Sequence, residues 1–128
     1  MLDHIGLTVS DIDRSKAFFG PALAPLGITL QMEVTAEQTG HHAHVGYGVV
    51  GKPFFWVGGG QHISSGVHVA FSAKTRAEVN AFYQAAMAAG GRDNGGPGLR
   101  PHYHPNYYGA FVLCPDGNNV EAVCHLPE

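Results

Sequence analysis

The chain contains an internal repeat. Residues 4–18 read HIGLTVSDIDRSKAF, and residues 68–82 read HVAFSAKTRAEVNAF. When 4–27 is aligned with 68–91, six of the 24 positions are identical, where average composition gives about one or two by chance. A spacing of 64 residues that occurs only twice is too long for a solenoid repeat. The sequence therefore predicts a single domain over 1–128, built from two similar modules at about 1–60 and 66–126.

Each module begins with a strand pattern. In residues 2–9 and 67–73, bulky apolar side chains alternate with small or polar ones, which is the period of a half-buried strand. The bulky set is expected to pack beneath a helix, so His4 and His68 fall on the opposite face among small residues. Such a face leaves room for a ligand. If a pseudo-two-fold axis relates the modules, the two histidines point into one cavity.

Helix signals follow each opening strand. Ser10 with Asp13, and Thr75 with Glu78, predict helix N-termini. The second helix is predicted over about 75–89, whereas the first is predicted to break near residue 19, because proline follows at position 21. Strand-like runs then occupy 28–35, 43–50, 53–58, 107–114 and 118–125. The pattern predicts an α+β fold: two βαβββ modules forming a cupped, mostly antiparallel eight-stranded sheet with helices on the outside.

A carboxylate stands in the closing strand. Glu121 lies between Val120 and Ala122, and an unpaired buried carboxylate is very costly. A metal ion held together with two imidazoles would supply its partner. When residues 51–55 are aligned with 117–121, Phe55 falls opposite Glu121. On this alignment the first module keeps its histidine and lacks the carboxylate.

Composition excludes several classes of protein. The seven Lys and Arg residues are scattered and the net charge is −3, so no basic stripe indicates a nucleic-acid partner. No apolar run reaches the length of a membrane span, and the N-terminus has no signal-peptide pattern. Cys114 and Cys124 lie in apolar runs, as reduced core thiols do. These features lead us to expect a cytoplasmic protein without a membrane partner.

Two stretches resemble a known superfamily. DHIGLTVSDIDRSKAFF near the start and YYGAFVLCPDGNNVEAV near the end are similar to the vicinal oxygen chelate superfamily, and the resemblance covers essentially the whole chain. That superfamily includes glyoxalase I, extradiol dioxygenases, fosfomycin-resistance transferases and bleomycin-resistance proteins. The resemblance implies a divalent metal held by His4, His68 and Glu121. It also implies a homodimer in which the first-module histidine can come from the other chain.

The resemblance also limits the activity. Glyoxalase I carries a further glutamate at the place here aligned with Phe55, so glyoxalase I chemistry is disfavoured. Two histidines and one carboxylate leave coordination positions open and suit zinc, iron, manganese or nickel. Such an ion could chelate vicinal oxygens of a small substrate and act as a Lewis acid. We therefore expect a metal-dependent lyase, dioxygenase or transferase, with a non-catalytic binding protein like the bleomycin-resistance proteins as the alternative.

A second concentration of reactive side chains lies in the loop GLRPHYHPNYYGAF at 98–111. His104 or Tyr103 could act as a general acid or base, and Arg100 could bind an anionic substrate. The alternative is a loop whose aromatic residues only cover the cavity. Trp56 is expected to be wall or core rather than catalytic.

Overall fold

The computed structural model describes all 128 residues and confirms the α+β class. The elements are, in chain order, β1 (Ile5–Thr8), α1 (Ile12–Leu23), β2 (Thr29–Val34), α2 (Ala36–Thr39), β3 (His44–Val49), β4 (Lys52–Gly58), β5 (His68–Ser72), α3 (Arg76–Ala88), β6 (Arg92–Asp93), β7 (Gly98–Leu99), β8 (Tyr108–Leu113) and β9 (Asn119–Cys124). No helix has the length and apolar character needed to cross a membrane.

The two modules build the same kind of sheet. The first has the strand order β1-β4-β3-β2, and the second has the order β5-β9-β8-β6, with β7 also paired to β8. In each sheet the opening strand pairs in parallel with the closing strand, and the other pairs are antiparallel. β1 is an edge strand of the first sheet and β5 is an edge strand of the second. Since no strand pairing joins them, the strands of one chain form two separate sheets. Two short strands were not predicted. β7 lies at the start of the segment 98–111 that was interpreted as a loop, and β6 precedes that segment.

One core joins the modules. Twenty-three buried residues from both halves of the chain form a single hydrophobic cluster, and α1 packs against α3. Phe55 of the first module meets Phe71 of the second edge to face, with ring centroids 5.2 Å apart. The two cysteines are buried and unpaired. The modules are therefore stabilised by shared apolar contacts rather than by separate cores.

The first helix differs from its prediction. Its N-cap is Asp11, whose side chain accepts a hydrogen bond from the Arg14 N–H, while Ser10 bonds to Asp116. The helix does not break near residue 19 but continues past Pro21 to Leu23. A proline this close to the C-terminus removes only one intrahelical hydrogen bond. Burial of Ala22 and Leu23 against the core offsets that loss.

A β-bulge in the first module decides which side chains share a face. Tyr47 pairs with Phe55 and Gly48 pairs with Pro53, so Phe54 is an extra residue without its own partner. A single extra residue moves every following side chain to the other face. Phe55 is consequently in the core, fully buried, and Trp56 is on the face opposite the helix. We call that face, in either sheet, the open face.

The bulge overturns one prediction. In the first sheet Gly6 pairs with Trp56, and in the second sheet Ala70 pairs with Glu121. Since Gly6 and Ala70 are equivalent in the repeat, Trp56 and not Phe55 is the counterpart of Glu121. The sequence alignment matched Gly51 with Gly117 and therefore chose a residue one position too early as the counterpart of Glu121. The reason is that the closing hairpin of the second module has no extra residue. Tryptophan, like phenylalanine, cannot serve as a carboxylate ligand.

Candidate functional site

The open face of the second module brings two predicted ligands together. Along β5, the exposed His68 and Ala70 alternate with the buried Val69 and Phe71, so His68 lies on the open face. Glu121 pairs with Ala70 and shares that face. The Nε2 atom of His68 is 2.8 Å from Oε1 of Glu121, close to the separation of roughly 3 Å between neighbouring ligands of one ion. This pair of donors therefore fits a divalent metal.

The Glu121 carboxylate is held from a second side. Its side chain has no exposed surface, and the Tyr107 hydroxyl donates a hydrogen bond to Oε2. Gly109 leaves space for this arrangement, since a Cβ atom there would lie 3.2 Å from both Oε2 of Glu121 and the Tyr107 ring. Burial, followed by the bond to Glu121, raises the pKa of Tyr107 well above its usual value. The phenol thus stays protonated and keeps the carboxylate in place.

The third predicted ligand lies apart from this pair. The His4 side chain is 60% exposed, and its Nδ1 atom is 2.8 Å from Asp3, which also binds Lys52. These two contacts lower the pKa of Asp3, the His4 hydrogen bond contributing most. No group of three His, Cys, Asp or Glu side chains in the chain is arranged to hold a metal ion. The three-ligand site is therefore not assembled within one chain.

Arg100 is fixed beside the same face. Its guanidinium donates to the carbonyl groups of Gly98 and Gly96, both at 2.8 Å, and lies over the Phe111 ring at 5.3 Å. Phe111 pairs with Glu121 across the sheet, and its ring is 6.2 Å from that of His68. No carboxylate forms an ion pair with Arg100. Its positive charge is therefore available to an anionic group.

The other two loop candidates lie further out. Tyr103 is 61% exposed, and its ring packs 5.1 Å from that of Tyr107. His104 accepts a hydrogen bond from the Asn106 N–H at Nδ1, and its ring is 5.6 Å from that of His125. This loop packs against Tyr107. The hydrogen bond from Tyr107 to Glu121 was not predicted from the sequence. The place of Tyr107 immediately before β8, which pairs with the Glu121 strand, was the available signal.

A profile of the Glyoxalase/Bleomycin resistance protein/Dioxygenase superfamily matches residues 1–122. The chain belongs to this superfamily. No curated protein sequence matches it. Among solved structures, a glyoxalase/bleomycin resistance protein from Albidiferax ferrireducens T118 is similar at 25% identity and a TM-score of 0.80, with 98% of this chain and 99% of that one covered. The superfamily resemblance inferred from sequence is confirmed.

More distant members of the superfamily show the same fold. Glyoxalase I from Zea mays aligns at 17% identity and a TM-score of 0.70, over 99% of this chain and 45% of that one. A variant of the fosfomycin resistance protein FosX from Listeria monocytogenes, complexed with Mn(II) and dihydroxypropylphosphonic acid, aligns at 16% identity and a TM-score of 0.66. That alignment covers 96% of this chain and 88% of FosX.

A cavity of this superfamily member lies between the edge strands β1 and β5. It has a volume of about 510 Å³ and a mostly apolar lining. His4 and His68 both contribute to it, one from each edge. The repeated histidines thus flank a common space, although the side chain of His4 does not reach the His68–Glu121 pair.

Proposed function

We propose that this protein is a metal-dependent enzyme that binds a small, vicinally oxygenated substrate on a divalent ion held by His4, His68 and Glu121. The observation that carries the proposal is the convergence of His68 Nε2 and Glu121 Oε1, 2.8 Å apart on the neighbouring strands β5 and β9. A fully buried carboxylate is stabilised by a cation. Zinc, iron, manganese and nickel suit this donor set.

The proposal places each site across a homodimer. His68 and Glu121 of one chain would be joined by His4 of the second chain. Two features support this arrangement: His4 does not meet the other ligands within the chain, and β1 and β5 both have an unpaired edge. Open edges are surfaces on which another chain can add. A second copy placed along them would bring the two open faces together.

The chain's own residues would have distinct roles around the ion. When bound, the ion supplies Lewis acidity that polarises substrate oxygens. Tyr107 holds Glu121 in the ligating orientation through its hydroxyl, as outer hydrogen bonds do for metal ligands. Arg100 would bind a negatively charged substrate group, because it has no acidic partner. His104 or Tyr103 would transfer protons from the adjoining loop.

A second candidate function is non-catalytic binding of a small apolar molecule. Both oxygens of Glu121 already have hydrogen-bond partners within the chain, so this network is complete without a metal. The cavity of about 510 Å³ is within the size range of ligand pockets. On this alternative the protein would bind a ligand between β1 and β5 and would need no ion.

The metal content of protein purified without chelator distinguishes the two candidates. The proposed enzyme should retain a divalent ion, and Glu121→Gln should weaken zinc binding strongly while the loop variant His102→Ala leaves it nearly unchanged. Because protons compete with metal for imidazole, zinc affinity should fall as the pH is lowered. Wild-type protein that neither retains nor binds a divalent ion would favour the non-catalytic alternative.

A mixing experiment tests the shared site. His4→Ala and Glu121→Gln homodimers should each lack a complete site. Their heterodimer regains one intact site, because the chain with Glu121 receives His4 from the chain that lacks the carboxylate. Random exchange should therefore restore about a quarter of the wild-type zinc sites. If sites form within one chain, mixing restores none, and sedimentation showing only a 13.6 kDa species would exclude the dimer.

A further inference from the structure

The position that corresponds to Glu121 in the first module holds Trp56, the only tryptophan of the chain. Trp56 is flanked across the sheet by Gly6 on β1 and by Gly46 on β3. The largest side chain of this face therefore stands between two residues that have none. This leaves the indole free to lie along the sheet instead of standing away from it.

The ring uses the space that Gly46 leaves. A Cβ atom built on Gly46 would be 3.1 Å from both Cε2 and Cη2 of Trp56, so the six-membered ring lies directly over this glycine. The Trp56 side chain is only half-buried. The glycine backbone supports the indole, and part of its surface remains accessible from the open face.

The repeat gives Trp56 a defined position relative to His4. His68 reaches Glu121 from a position two residues before Ala70, the strand partner of Glu121. His4 stands two residues before Gly6, the strand partner of Trp56. In strand register, Trp56 therefore stands to His4 as Glu121 stands to His68, while its ring extends over Gly46 on the neighbouring strand β3. The position of the first module that is equivalent to Glu121 thus carries an aromatic ring instead of a second carboxylate.

We propose that Trp56 is a specificity-determining residue that stacks on a planar, conjugated part of the ligand whose oxygens bind beside His4. This inference rests on the proposed function and narrows its substrate class from any vicinally oxygenated molecule to those with a flat group next to the oxygens. Aromatic rings favour offset stacking on such groups, and a stacked pair contributes about 0.5–1.5 kcal/mol beyond simple burial.

A matched pair of probes tests the proposal on the zinc-loaded protein. Benzohydroxamate and cyclohexanecarbohydroxamate present the same two vicinal oxygens, and only the first has a flat ring. Benzohydroxamate should bind more tightly and should change the fluorescence of Trp56, which is the sole tryptophan signal. In calorimetric titrations, Trp56→Leu should reduce the preference for benzohydroxamate by roughly 2- to 12-fold, whereas Trp56→Phe should retain most of it.

The outcomes separate this inference from the proposed function. If zinc binds but wild type and Trp56→Leu show the same ratio of hydroxamate affinities, Trp56 is not a stacking residue, and the metal site still stands. If wild-type protein binds no zinc, the proposed function fails, and the metal-free protein is titrated with benzohydroxamate alone. In calorimetric titrations, saturable benzohydroxamate binding that Trp56→Phe preserves and Trp56→Leu weakens would then support the stacking surface, and its absence would overturn it.

Discussion

Replacing Tyr107 with phenylalanine removes one hydroxyl and tests how Glu121 is held. The lost hydrogen bond has a charged, fully buried acceptor, and bonds of this kind contribute about 1.5–3 kcal/mol. For 128 residues, the unfolding entropy is about 0.27 kcal/mol/K. We therefore expect Tyr107→Phe to lower the melting temperature by roughly 6–11 °C. This is a large share of a total stability of about 5–15 kcal/mol.

Thermal unfolding of the metal-free protein, followed by circular dichroism, measures this loss. Tyr103→Phe is the matched control, because that hydroxyl lies on the same loop but on an exposed side chain. A double-mutant cycle with Glu121→Gln isolates the pairwise interaction, which should account for most of the effect. A melting temperature for Tyr107→Phe equal to that of Tyr103→Phe would refute the view that the Tyr107 hydroxyl anchors the carboxylate.

Three further predictions concern the surrounding structure. Gly46→Ala should destabilise the protein by about 1–3 kcal/mol through overpacking and shift Trp56 emission, because the added Cβ would lie 2.7 Å from Cβ of Pro53 and 3.1 Å from two atoms of the indole; unchanged denaturant unfolding and emission would contradict this. Burial raises the pKa of Tyr47 to about 12. The contribution of Tyr47 to stability should therefore fall by about 1.4 kcal/mol per pH unit from about pH 10 to about pH 12, and Tyr47→Phe should reduce the slope measured by urea unfolding by that amount, leaving the contribution of Tyr107. Asn118→Ala should cost about 2–4 kcal/mol in urea unfolding, since its buried amide bonds two backbone groups of 64–67; a loss below 0.5 kcal/mol would count against that role.

The sequence predicted best those features that depend on a regular period. The alternation in β5 predicted that His68 lies on the face opposite the helix, and the cost of burying Glu121 unpaired predicted that this carboxylate has a partner; in the structure the two side chains are in direct contact. The mistaken pairing of Phe55 with Glu121 arose where the period is interrupted. The extra residue at Phe54 has no distinctive side-chain signature, because a bulge is defined by main-chain pairing. Only the register of β3 and β4 revealed that Trp56 takes the equivalent position.

Other parts of the candidate site depended on long-range packing. The contact between Tyr107 and Glu121 depends on how the loop before β8 turns back over β9. It could not be predicted, because no local sequence pattern specifies that path. The continuation of α1 through Pro21 likewise reflects burial of the following residues, which outweighs local propensity. The position of His4 relative to His68 depends on how the two sheets are oriented, and within a chain they leave these histidines apart.

The parallel pairing of each module's first and last strands also has a consequence for how the chain folds during synthesis. The first sheet can close once Gly58 has been made, because β4 is the strand that pairs with β1. The second sheet cannot close until β9, ending at Cys124, is available to β5. Pairings of such long sequence separation form slowly. The apolar residues of β5 thus have no partner strand until Cys124 has been made, and the shared core can be completed only after that point.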